Sequence, residues 1–263
     1  MFRLHRVLAT ALIASCCATG LVAAEWGTLT GTLVYDGTPP KPDPINVTKD
    51  AAVCGKHNLV NESLLVNPDN KGIADIMVYV YVKKGDPKPA VHPDYEKTAT
   101  DEVRIDNKGC RYEPRVALLR TTQTLVIGNK DPIGHNTKID ALNNSALNPI
   151  IPAGAEIKQK FPNPERRPVP VGCNIHPWMS AMLLIQDHPY MAVTDENGQS
   201  TIPNLPTGKW TFQFRHPAGG YIRDVKIGGK SEKWSKGRTK LPIKAGENDL
   251  GVILVPASTF EKL

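Results

Sequence analysis

Gly172-Cys173-Asn174-Ile175-His176-Pro177-Trp178-Met179 follows one β-type stretch and precedes another, Met182-Leu183-Leu184-Ile185, so it reads as a short loop joining two strands. The loop carries a thiol, an imidazole and a thioether at the spacing Cys-x2-His-x2-Met. With 5 Cys, 7 His and 5 Met in 263 residues, that spacing arises by chance about 0.0025 times per chain, which makes it specific. The pair Cys54-x2-His57 has a chance expectation of about 0.13 and carries little alone. Taken singly, Cys173 reads as a buried structural thiol, His176 as a satisfied loop histidine and Met179 as core filler. Taken together they read as a metal loop.

Zinc and calcium sites do not ask for thiolate with thioether, whereas copper is served by one Cys, two His and a weak axial Met. A second histidine is then required. His135 answers, because it ends the turn 129–136 directly after the strand stretch 124–127. Met182 competes with Met179 for the axial place, but it begins an apolar run and reads as core. A Cys–His nucleophile would need an oxyanion hole and a third orienting group, and zinc hydrolysis an open site with a general base. Neither set stands out.

Outward from the loop, alternating and β-branched stretches recur at 27–35, 73–82, 115–127, 157–161, 181–185, 210–214, 221–227 and 250–255. With 21 Gly and 23 Pro and no amphipathic helix, the fold class is all-β, expected as antiparallel Greek-key sandwiches. Segments 84–107 and 141–155 are expected as surface loops, and Asn197-Gly198 as a hairpin turn. His57, His92, His188 and His216 stand alone and read as surface or satisfied histidines.

The hydrophobic share of 40% and charged share of 22% exclude a disordered chain. Residues 1–24 have a basic head, an uncharged apolar run and small residues at Val22-Ala23-Ala24, the layout of a signal peptide. A periplasmic or secreted protein is expected. The alternative is a lipoprotein tethered to a membrane through Cys16. The net charge of +6 is spread without a basic arm, so nucleic acid is not an expected partner. The densest basic stretch, 226–240, reads as a solvated hairpin tip. Cys54 and Cys110 sit beside glycine in polar turns; with Cys173 given to the metal, they are expected to pair, at a distance from the copper.

Tyr112-Glu113-Pro114, the strand ending at Ile127, the turn ending His135-Asn136 and the loop Cys173 to Met179 resemble the cupredoxins, or blue copper family, and most closely its amicyanin/plastocyanin-like members. The match spans residues 108–187. It implies one mononuclear type 1 copper with His135, Cys173 and His176 as strong ligands, Met179 as the long axial ligand, and Asn136 bridging the two ligand loops. It also implies single-electron transfer rather than catalysis. His176 would reach the surface through an apolar rim of Pro132, Ile133, Pro177 and Trp178, where a redox protein partner would dock near His176 and Trp178. The competing class is a non-redox β-sandwich module with a structural or copper-sequestering site.

Residues 191–212 resemble carboxypeptidase regulatory-like, transthyretin-like sandwich modules, which open with strands like 27–33 and 73–82. The expected division is 1–24 signal peptide, 25–187 cupredoxin-like domain and 188–263 second sandwich, with the N-terminal strands possibly shared and the cupredoxin then inserted in that sandwich.

Overall fold

A computed structural model describes residues 25–261. The leader read at 1–24, with Cys16, lies outside the described residues. Among the described residues no helix is long and apolar enough to cross a membrane.

The chain is all-β and forms two sandwiches. In the first, one sheet runs in the order Gln199–Pro206, Trp26–Asp36, Gly246–Pro256, Asp224–Ile227, Lys230–Lys233, and the other Met191–Val193, Met77–Val80, Gly208–His216, Gly220–Tyr221. Trp26–Asp36 alternates buried and half-buried positions without a break, the period-2 pattern of a strand with one face on a core. Leu29, Leu33, Ile253 and Val255 from one sheet meet Val78, Val80, Phe212 and Phe214 from the other in that core.

In the second sandwich, the sheet Glu156–Lys160, Thr124–Asn129, Glu102–Lys108, Arg111–Glu113 faces the sheet Val116–Arg120, Ser180–Gln186, Val169–Gly172, Lys138–Ile139. Ile105, Leu119, Leu125, Ile127, Phe161, Val171, Leu183 and Ile185 fill the space between them. The sheets thus divide the chain differently from a boundary at 187. Trp26–Asp36 and Met77–Val80 lie in sheets with the C-terminal strands, because Trp26–Asp36 pairs in parallel with Gly246–Pro256.

Three further expectations change. Parallel pairs occur, Glu102–Lys108 with Thr124–Asn129 and Val116–Arg120 with Ser180–Gln186, besides the antiparallel ones. No crossover helix is needed, since the chain crosses to the facing sheet between the paired strands. For the same reason 115–127 is two strands in different sheets, Val116–Arg120 and Thr124–Asn129. Inside the expected surface loop 84–107 lies the strand Glu102–Lys108. Its outer face is masked as polar by Arg104, which pairs with Asp106 and with Glu156 at 2.8 Å. Finally, the turn at Asn197-Gly198 joins strands of two different sheets rather than closing a hairpin. Gly198 has φ +74°, and a Cβ there would stand 2.2 Å from the Leu33 carbonyl oxygen, so the close approach requires glycine.

Two of the lone histidines are buried in or beside the first sandwich. His188 Nε2 lies 3.0 Å from the Val80 carbonyl and its Nδ1 accepts from Tyr190 N–H. His216 Nδ1 accepts from Gly219 N–H at 3.0 Å. Burial holds both neutral, with pKa values pushed down to about 4 and about 3. These folded values lie below the unfolded value of about 6.5, so the stabilisation is complete above that pH and is lost as pH falls toward 4 and 3. Each histidine should cost on the order of 2 kcal/mol at pH 5. Urea unfolding of His216→Gln should show a shallower loss of stability between pH 7 and pH 5 than the parent; parallel curves would refute the assignment.

Candidate metal centre

The turn that delivers His135 is built by Asn129 and Asp131. Asn129 donates through Nδ2 to the carbonyls of Ile133 and Ile151 and accepts from Asp131 N–H, which locks the loop's shape. The Asp131 carboxylate accepts from Gly109 N–H at 2.6 Å and Cys110 N–H at 2.8 Å. Both residues have positive φ, 60° and 56°, so their N–H groups converge on one anion. Burial works against this charge, but the bonds from His135, Cys110 and Gly109 prevail and hold the carboxyl below its usual range. Asp131 Oδ2 lies 2.9 Å from His135 Nε2.

The second loop leaves the strand Val169–Gly172 and re-enters at Ser180–Gln186. Within it, Met179 N–H donates to the His176 carbonyl at 2.9 Å and Cys173 N–H to the Met179 carbonyl at 3.3 Å, closing a tight coil. His176 N–H points at Cys173 Sγ from 3.4 Å. Asn136 ties the two loops together, since its Oδ1 accepts from Asn174 N–H at 2.8 Å and Ile175 N–H at 3.2 Å and lies 3.4 Å from Cys173 Sγ.

The three strong ligands expected from the sequence come together. His135 Nδ1 and His176 Nδ1 are 2.9 Å apart, and Cys173 Sγ is 3.7 Å from His176 Nδ1. His135, Cys173 and His176 are all buried and offer ligand atoms within 4.8 Å of one another. Each imidazole turns its Nε2 to a carboxylate, His135 to Asp131 and His176 to Asp50 at 2.7 Å. A carboxylate can only accept, so each Nε2 carries the proton and each Nδ1 lone pair faces the centre.

Two lone pairs and a thiol sulfur so placed repel unless a cation lies among them. Without a metal a proton can take that place, on His135 Nδ1: burial opposes it, but Asp131 and Cys173 raise the His135 pKa to about 9. Burial likewise opposes the Cys173 thiolate, and the bonds from His135, His176 and Asn136 bring its pKa down to about 6. The same donors fit a metal. Nitrogens bound at about 2.0 Å to one ion stand roughly 3 Å apart, and ligand imidazoles hand their second nitrogen to a carboxylate.

Met179 is buried in the same core cluster as Cys173. Met182 packs against Met77, Tyr79, Val116 and Leu184, on the other side of its strand. A further group, Cys110 with Asp131 and His135, has no free thiol, because Cys110 is in the disulfide with Cys54.

Two expectations about the surroundings are corrected. His176 does not reach the surface; its exposure is 0%. Residues 43–61 fold back over the rim, tied by Ile45 N–H to the Leu59 carbonyl and Asn61 N–H to the Asp43 carbonyl. Ile45, Val47, Val53 and Leu59 pack with Ile133 and Trp178, whose Nε1 donates to the Cys110 carbonyl at 3.2 Å. Of the apolar side chains read as a rim, Ile133 and Trp178 are thus partly covered by the strap, while Pro132 and Pro177 stay exposed. The disulfide forms as expected but is not distant from the centre, for Cys110 N–H binds the carboxylate that binds His135. Asp131 and Asp50 escaped the sequence reading. The first stood four residues before His135; the second had no local signal at all.

Asn136→Ala should remove the acceptor of two loop N–H groups and cost roughly 1–3 kcal/mol. Thermal unfolding should show the loss, and ligand-field spectra of the metal-loaded protein should change with it. An unchanged spectrum would mean that the loops hold their register without this side chain.

No protein-family model matches the chain, and no curated protein matches it. Among solved structures it is similar to cupredoxins. A purple cupredoxin from Nitrosopumilus maritimus is 19% identical over 32% of this chain and 98% of its own, with a TM-score of 0.27. A Cu(I) form of an amicyanin variant is 16% identical over 42% of this chain and 98% of its own, with a TM-score of 0.30. The copper-containing nitrite reductase from Thermus scotoductus is 18% identical over 41% of this chain and 25% of its own, with a TM-score of 0.29.

Proposed function

We propose that this chain is an exported type 1 copper protein that carries single electrons between redox partners, with His135, Cys173 and His176 as strong ligands and Met179 as the weak axial one. The observation that carries the reading is the convergence of two Nδ1 atoms and one Sγ in a buried site whose outward nitrogens are each held by a carboxylate. Copper in such a set supplies a one-electron Cu(II)/Cu(I) couple. The protein's part is to hold the imidazoles in one tautomer, keep the thiol ionised and exclude water, so that little rearranges between oxidation states. The disulfide supports an oxidising compartment. A redox protein partner approaching His176 would meet the strap, with Asp50 as its half-exposed group.

The full burial of His176 behind Asp50 favours a second reading, a non-redox module that stores or is braced by copper. Titration with Cu(II) should produce one equivalent of intensely blue protein, and voltammetry should then be reversible. A colourless protein with a free thiol would sink the copper reading, and irreversible loss of metal on reduction would favour storage. Met179→Leu should keep the colour and raise the potential, because loss of a weak axial donor destabilises Cu(II) more than Cu(I). Met182→Leu should leave the potential alone; the reverse pattern would move the axial ligand to Met182.

A further inference from the structure

We infer that Asp50, supplied by the strap outside the copper sandwich, is a positioning residue for the metal centre: it fixes His176 as the Nε2–H tautomer and tunes the site toward the oxidised ion. The inference rests on the copper reading for its second half only.

Asp50 Oδ2 lies 2.7 Å from His176 Nε2, across a sequence separation of 126. With His176 at 0% exposure, Asp50 is the hydrogen-bond partner that covers this nitrogen. The local backbone is shaped for this contact. Asp50 heads the short helix Ala51–Cys54, where an aspartate ordinarily caps a free N–H, yet its side chain makes no cap bond. Its backbone is left-handed, φ 48° and ψ 40°, a conformation aspartate adopts more readily than most side chains. The forgone cap leaves the carboxylate free to reach His176.

The strap is held so that the carboxylate stays in place. Asp50 O accepts from Val53 N–H and Cys54 N–H, both at 2.9 Å, and Cys54 is bonded to Cys110. Cys110 N–H in turn binds Asp131, the carboxylate on the other imidazole. The disulfide therefore joins the supports of both histidines. They differ in one respect: the Asp131 side chain is 5% exposed and the Asp50 side chain 42%. Asp50 is the support that solvent and a partner can reach.

Chemically, a carboxylate on Nε2–H leaves the Nδ1 lone pair free and makes the ring a stronger donor. A stronger, more negative donor set favours Cu(II) over Cu(I).

The test uses the full chain with Asp50→Ala, Asp50→Asn and Asp50→Glu. In the metal-free protein, ¹⁵N NMR of the imidazoles should show His176 as the Nε2–H tautomer in the parent, with that preference lost in Asp50→Ala and His135 unaffected. In competition titrations, Asp50→Asn, which keeps the shape and removes the charge, should weaken Cu(II) binding roughly 10–100-fold and Cu(I) binding less. Its potential should rise accordingly, and Asp50→Glu should recover most of the difference. A fall in melting temperature alone, with tautomer and Cu(II)/Cu(I) affinity ratio unchanged, would make Asp50 a packing residue of the strap and overturn the inference. If Asp50→Ala does not fold, the affinity ratio of Asp50→Asn decides. If the parent takes up no copper, the copper reading fails, while the tautomer measurement still decides whether Asp50 orients His176.

Discussion

Serine in place of Cys173 is expected to yield a folded protein that never turns blue. The colour proposed for this site requires a copper–thiolate bond, and a hydroxyl is a hard, poorly ionised substitute for a sulfur whose pKa is drawn down to about 6. The fold should survive. Cys173 makes no disulfide, and serine fills nearly the same volume with Asn136 and the His176 N–H still at hand. The measurement is the visible spectrum after Cu(II) loading, read beside the melting temperature. A blue Cys173→Ser protein would remove the sulfur from the ligand set, and with it the argument for copper over other metals.

The second large effect belongs to the disulfide. Cys54 and Cys110 are fully buried and 56 residues apart in sequence. On a chain-entropy basis a cross-link closing that loop stabilises by about 4 kcal/mol. Cys54→Ser with Cys110→Ser should therefore lower the melting temperature by roughly 10 °C for a chain of this size. It should also disturb the metal spectrum, since the strap that carries Asp50 is tied through Cys54 and the Asp131 carboxylate is held by Cys110 N–H. A protein that melts lower but keeps its spectrum and potential would show that the strap stays seated without the covalent tie.

The all-β class was legible because strand periodicity is local. Trp26–Asp36 and Ser180–Gln186 each declare themselves by alternation or an apolar run. Glu102–Lys108 did not, because the Arg104 charge on its outer face is satisfied by Glu156, which sits far along the chain, two strands away in the same sheet. The same holds for the turn at Asn197-Gly198. Its residues announce a reversal, but Leu33 and Gly72 decide which sheets it joins.

At the candidate metal centre, the residue types and the tight spacing of Cys173, His176 and Met179 were written in seven consecutive positions, and His135 was recoverable from the need for a second imidazole. That much a sequence determines by itself, because ligand chemistry is a property of side chains and a short loop leaves them little freedom. What only the tertiary structure decided is what faces the far side of each imidazole. A carboxylate 126 residues away can cap His176 only because strap, disulfide and sandwich close on one another, and burial then turns one hydrogen bond at Nε2 into the difference between an open edge and a covered one.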